Sequence, residues 1–233
     1  MSTTHSALDA RRLDGETIAT WTLVLFTEFL LVAGYLAFSS TSADSIRYVV
    51  YPFVWINVGV LAAASIDPEP QNTRHRTVGL LVAAGYFLVL LYTASNVGPN
   101  PLSEPWSFDI ALATPGWGPL LVATGPGFSL TPIPFEVIGY AALSYLLYAN
   151  VLRISRSVLA GALGLVTCVG CTVPILAPAI GLLGGPASSL TTTAYQYSYD
   201  LGTVLFVVTV AILYASAAGT IPTLGRLNPR GDR

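Results

Sequence analysis

Six long apolar segments with few charges constrain this chain more than any other feature. A helix needs roughly 20 mostly apolar residues to cross a bilayer, and each segment is near or above that length. Only 9% of all residues are charged, whereas a soluble domain carries about a quarter. The sequence therefore predicts an all-α integral membrane protein, a bundle of six transmembrane helices. The predicted helices cover about 17–38, 46–66, 77–96, 134–152, 157–183 and 201–221.

Arginine placement predicts how the helices are oriented. Lys and Arg concentrate in the cytoplasmic loops of membrane proteins. If the N-terminus is cytoplasmic, nine of the ten basic residues lie on the cytoplasmic side and only Arg47 lies outside. We therefore predict a multi-pass protein of the cell membrane, with a membrane domain at 17–221 and cytoplasmic tails at 1–16 and 222–233. The predicted cytoplasmic arginines are Arg11, Arg12, Arg74, Arg76, Arg153, Arg156, Arg226, Arg230 and Arg233.

The long segment 97–133 is predicted to lie outside, between the third and fourth helices. Residues 110–130 are apolar and uncharged, but their prolines and glycines oppose a continuous helix. A seventh crossing there would also move the C-terminal arginines to the outside. We predict an external loop that lies in the membrane interface or re-enters against the helices, with Trp106 and Trp117 at the interfacial level.

Two cysteines in the fifth predicted helix are the first candidate site. Cys168 and Cys171 are spaced i, i+3 and share one helix face. Pro174 and Pro178 break the same helix, and Pro174 removes a backbone hydrogen bond just after the pair. Two thiols can exchange electrons or bind a soft metal such as Cu(I). The alternative is that both cysteines are small buried apolar residues.

The run 171–183, CTVPILAPAIGLL, resembles the helix motif of the CcdA/DsbD family of membrane thiol–disulfide transporters. The resemblance implies a redox-active thiol at Cys171. That family places one reactive cysteine in each of two helices, whereas both cysteines here fall in one. More broadly, the segment 117–149 and the C-x-x-C-x-x-P helix resemble a group of uncharacterised haloarchaeal six-helix membrane proteins, a resemblance that implies no activity.

Glu28 is the second candidate, because it lies about ten residues into the first predicted helix. A carboxylate at that depth is costly in a membrane. Trp21 and Tyr35, each seven residues away, share its face, which should point into the bundle. The same depth count predicts an intramembrane polar layer that acts either as a proton or ion site or as hydrogen-bonded helix contacts. The predicted layer comprises Glu28, Asn57, Tyr86 and Cys168.

Two more acids, Glu136 and Asp200, begin the fourth and sixth predicted helices at the outer surface. An acid in a first helical turn complements the helix dipole, and we predict a structural role for both.

Three function classes remain open. The first is a membrane thiol-redox or copper-handling accessory protein, linked to a respiratory complex, with Cu(I) as its cofactor. The second is a small-solute or ion transporter that uses a midplane carboxylate. The third is a non-catalytic subunit or scaffold. ATPase and hydrolase motifs are absent from the sequence. The predicted partners are the lipid bilayer, other membrane subunits or a thiol or copper partner, and no basic block indicates nucleic acid.

Overall fold

A computed structural model describes residues 15–39, 45–68, 72–100, 105–153 and 197–219. These residues include five helices that are long and apolar enough to cross a membrane, which fits a membrane protein. The helices are α1 (Gly15–Phe38), α2 (Ile46–Ala64), α3 (Thr73–Thr93), α4 (Pro134–Arg153) and α5 (Ser198–Ala217).

Two helices, α3 and α5, differ most from their predicted bounds. Helix α5 covers Ser198–Ala217 rather than 201–221, and α3 begins at Thr73 and ends at Thr93 rather than covering 77–96. Ser95 takes a positive φ of 60°, and the N–H of Asn96 bonds back to the carbonyl of Leu91 at 2.9 Å. This turn closes the helix before the predicted end. The predicted helix 157–183 lies outside the described residues.

The all-α prediction is wrong, because 97–130 contains a four-stranded antiparallel sheet. Its strands lie in the order β1-β4-β3-β2. Pro126 and Gly127, with φ of 78° at the glycine, turn β3 back onto β4, and Pro-Gly is the pattern of a type II turn. The prolines and glycines that oppose a helix here therefore separate strands. The strands are β1 (Val97–Gly98), β2 (Ser107–Ala111), β3 (Leu120–Gly125) and β4 (Phe128–Leu130).

The centre of the bundle is α4, which packs against α2, α3 and α5. Trp55 of α2 stacks on Phe206 of α5 with a centroid separation of 4.0 Å. The same indole meets the edges of Phe135 and Tyr140 of α4. Gly139 lets α4 approach this aromatic cluster closely, because a Cβ there would lie 2.6 Å from the Trp55 ring. Small residues allow close helix approach of this kind in membranes.

The sheet marks one end of the bundle, here called the sheet end. The ends of α3 and α4 at residues 93 and 134 connect directly to the sheet. The start of α2 joins it because Trp117 Nε1 donates to the carbonyl of Tyr48 at 2.8 Å. The start of α5 is next to α2, since Asp200 pairs with Arg47. At the opposite end, the guanidinium of Arg153 lies against Gly219.

Candidate functional site

A hydrogen-bonded carboxylate and amide join α1 and α2 near the middle of both helices. Asn57 Nδ2 donates to Glu28 Oε1 at 2.7 Å. Along α1, Glu28 lies about 20 Å from Gly15 and about 15 Å from Phe38 at the usual helical rise. The structure therefore brings together two of the residues in the predicted polar layer, at a depth where an apolar helix has its least access to water.

Most of the half-buried positions of α1 lie on the face that carries Glu28, and Gly34 is half-buried on another side. No described side chain of α1 is buried. Near the sheet end, Tyr35 Oη donates to the carbonyl of Ala113 at 2.8 Å. Helix α1 thus lies at the edge of the bundle, with polar contacts at its middle and its end. Half-buried positions recur every three or four residues at Trp21, Val24, Glu28, Val32 and Tyr35.

A second carboxylate–amide pair lies at the sheet end. Glu136 stands in the first turn of α4, as predicted, but is only 5% exposed. Asn96, which is 1% exposed, donates from Nδ2 to Glu136 Oε2 at 2.6 Å. Its Oδ1 accepts from the N–H of Ile133 at 2.6 Å. A carboxylate removed from water is costly without such partners, so Asn96 both holds the acid and fastens the start of α4.

Buried polar groups continue from Glu136 along α4. Tyr140 and Ser144 follow at i+4 and i+8, so the three side chains lie along one side of the helix, and all are buried. The stripe extends about 12 Å from the sheet end toward the middle of α4. Within the part of the chain that the structure describes, Ser144 Oγ has no hydrogen-bond partner. Sequence reasoning identified neither the burial of Glu136 nor the roles of Asn96 and Ser144.

Asp200, in the first turn of α5, also contacts side chains of α2. Its carboxylate lies 3.3 Å from Arg47 Nη1 and accepts a hydrogen bond from Tyr51 Oη. The guanidinium of Arg47 also lies 4.9 Å from the ring centroid of Tyr48. These contacts join the starts of α5 and α2 and leave Arg47 paired at the sheet end.

Several predicted site residues fall outside the described ranges. Cys168, Cys171, Pro174 and Pro178 are among them, so the thiol and copper hypothesis stays a prediction. Tyr86 packs against the core formed by α2, α4 and α5. Across 15–39, 45–68, 72–100, 105–153 and 197–219, no group of three His, Cys, Asp or Glu side chains is placed to hold a metal ion.

Comparison with known proteins adds a family but no activity. Neither a curated protein nor a solved structure matches the chain. The comparisons link the chain neither to CcdA/DsbD transporters nor to haloarchaeal proteins. One family model, described as a family of unknown function (DUF7546), matches residues 1–220, and the chain therefore belongs to that family.

Proposed function

We propose that this protein is a six-crossing membrane transporter that moves protons or a small cation, with Glu28 as the group that takes and releases the ion. The hydrogen bond between Glu28 and Asn57, halfway along two apolar helices, is the observation that carries this proposal. A carboxylate inside a membrane is costly, and such residues mark ion pathways and proton relays in membrane proteins.

The described helix directions support six crossings. Helices α4 and α5 both run from the sheet end to the opposite end, because Asp200 pairs with Arg47 while Arg153 lies against Gly219. Two helices that cross a membrane in the same direction need an odd number of crossings between them in the chain, and the single crossing predicted at 157–183 meets that need. The arginine distribution then puts the sheet end outside the cell.

The Glu28–Asn57 pair is chemically suited to reversible binding of an ion. Asn57 donates to Oε1, and a carboxyl oxygen accepts that bond whether or not the other oxygen carries a proton. The pair can therefore persist while Glu28 binds a proton or a cation. Helix α1, with no buried side chain among its described residues, can shift against the bundle at less cost than α4, most of whose residues are buried.

The buried stripe on α4 supports a route to the outside. Glu136 begins at the sheet end, and Tyr140 and Ser144 extend inward from it. Chains of carboxyl and hydroxyl groups carry protons in membrane transporters. We assign this stripe to the outer half of the pathway and Glu28 to its centre.

Flux through proteoliposomes tests the proposal. Purified protein is reconstituted with either a pH-sensitive or a sodium-sensitive dye trapped inside, and proton and sodium gradients are imposed in turn. We expect ion movement above that of empty liposomes, and we expect Glu28→Gln to abolish it. Glutamine retains an oxygen that accepts from Asn57, so helix packing should persist, and the thermal midpoint in detergent checks this.

The matched control is Asp109→Asn, the same chemical change on an exposed strand of the sheet. It should leave flux unchanged. If the wild-type protein moves no ion under any gradient, or if Glu28→Gln transports as well as wild type, the proposed function is wrong.

A further inference from the structure

Strand β2, at one edge of the sheet, has one face made only of large apolar side chains. Along Trp106, Phe108, Ile110 and Leu112, alternate residues point the same way because side chains in a strand alternate between faces. All four are exposed, with Phe108 at 72% and Ile110 at 69%. The residues between them, Ser107, Asp109 and Ala111, belong to the other face.

The neighbouring strands extend this apolar face. Ile110 is paired with Leu121, and Gly125 with Phe128, and both added side chains are exposed. The indole of Trp106 stacks beside Phe108 and covers Gly125. On the other face, Ser107 and Thr124 share a hydrogen bond of 2.6 Å. The polar side chains of β2 and β3 therefore lie on one face, which also carries Ala111, Leu120 and Val122, while the opposite face is apolar. We call this apolar face of the sheet the strand face, comprising Trp106, Phe108, Ile110, Leu112, Leu121 and Phe128.

The sheet is held close to the ends of the helices. Three residues separate α3 from β1, and three separate β4 from α4. Asn96 clamps both connections, because its backbone carbonyl accepts from Thr131 and its side chain binds Ile133 and Glu136. Just beyond β2, the carbonyl of Ala113 is bonded to Tyr35 of α1. The strand face thus begins beside the most exposed apolar helix of the bundle.

We propose that the strand face lies in the outer interface of the same bilayer, against the boundary between headgroups and acyl chains. An apolar surface of six large side chains is too large to be left in water by chance. Tryptophan is enriched at this level of a membrane, and the connections to α3 and α4 leave no length for the sheet to project far from it.

A second copy of the chain fits less well. The free edge of β2 could pair with another β2, but edge pairing extends a sheet sideways and leaves its faces uncovered. Lipid covers the face itself and is continuous with the surface of α1. This inference does not depend on ion transport. It requires that the helices cross a membrane, and the arginine distribution makes this side the outer one.

Tryptophan quenching tests the placement. The protein is placed in nanodiscs whose lipids are brominated near the headgroup end of the acyl chains, and iodide is the water-soluble quencher. The emission of Trp106 is the difference between wild type and Trp106→Phe. We expect brominated lipid to quench this emission and iodide to leave it unchanged. Quenching by iodide alone would place the face in water and overturn the proposal, and protection from both quenchers would overturn it in favour of a protein partner.

Two neighbouring substitutions provide a matched pair. Ile110→Asp introduces a charge on the strand face, and Ala111→Asp introduces the same charge one residue along, on the opposite face. Both positions are exposed, so neither substitution disturbs a packed core. Ile110→Asp should move Trp106 from lipid quenching toward iodide quenching, whereas Ala111→Asp should not. Equal responses from the two variants would contradict the proposed orientation.

Discussion

Gly139→Ala is expected to lower the free energy of unfolding by about 1–3 kcal/mol, the range for forcing an extra methyl group into a packed core. A Cβ atom at this position would lie 2.6 Å from Trp55 Cε3 and 3.1 Å from Phe206 Cε2. Real Cβ atoms essentially never come as close to another atom as this Cβ would come to Trp55 Cε3. Either the Trp55 indole or helix α4 therefore has to move. The measurement is an SDS unfolding titration followed by circular dichroism.

Trp55 has little room to move. Its ring is stacked on Phe206 and bounded by two further aromatic edges. Its Nε1 also donates to Thr203 Oγ1 at 3.1 Å, and a shift would break that bond. The loss of stability therefore comes from a weakened contact of α4 with α2 and α5. Adding Trp55→Phe, which removes the larger ring, should make the double variant less destabilised than the sum of the two single variants.

Gly85→Ala is the control for the same chemical change. Gly85 lies inside α3, and a Cβ there would have no neighbour within 4 Å. Alanine is a better helix former than glycine by up to about 1 kcal/mol, so this variant should be neutral or more stable than wild type. Equal destabilisation by Gly85→Ala and Gly139→Ala would show that packing against Trp55 is not the cause.

The helices were the part of the fold that the sequence predicts best. Apolar runs predict the bounds of α1, α2 and α4 to within two residues and those of α3 and α5 to within four, because the length of a membrane crossing is a local property of the chain. The end of α3 is less predictable. Asn96 is polar and could continue a helix by propensity, but its bonds to Ile133 and Glu136 come from segments distant in sequence.

The sheet was missed although a local signal for it exists. The run 106–112, WSFDIAL, alternates apolar and small or polar residues, which is typical of a strand. The nearby prolines and glycines instead favour irregular structure. Their actual role, to separate short strands, becomes visible only when the strands are paired. Edge strands with one apolar face depend on such pairing and cannot be recognised from composition.

The candidate site was predicted in part. Glu28 and Asn57 are brought together, because depth along a spanning helix can be counted from the sequence. The burial of Glu136 could not be counted in this way. It lies in a first helical turn, where an acid normally faces water, but it is buried and accepts a hydrogen bond from Asn96. Burial at a helix end is a tertiary property.

Asn96→Asp is expected to destabilise the sheet end by about 1–3 kcal/mol, the range for a buried polar group that loses its hydrogen-bond partner. The amide that donates to Glu136 Oε2 at 2.6 Å becomes a second carboxylate. Two carboxylates at that separation cannot both be charged without strong repulsion. The new side chain still accepts from the N–H of Ile133, so the loss reports on the contact with Glu136. An SDS titration of the variant beside wild type measures it.

Exchanging the acid and the amide between positions 96 and 136 is expected to restore most of the lost stability. In the double variant Asn96→Asp with Glu136→Gln, the amide at 136 donates to the carboxylate at 96, and the number of buried acids is unchanged. Glu136→Gln alone should cost about 1 kcal/mol, since a neutral acceptor binds the Asn96 amide more weakly than a charged one. A double variant no more stable than Asn96→Asp would show that something other than this hydrogen bond fastens α4. Restoration would instead identify one acid and one amide as the clamp between the sheet and the bundle.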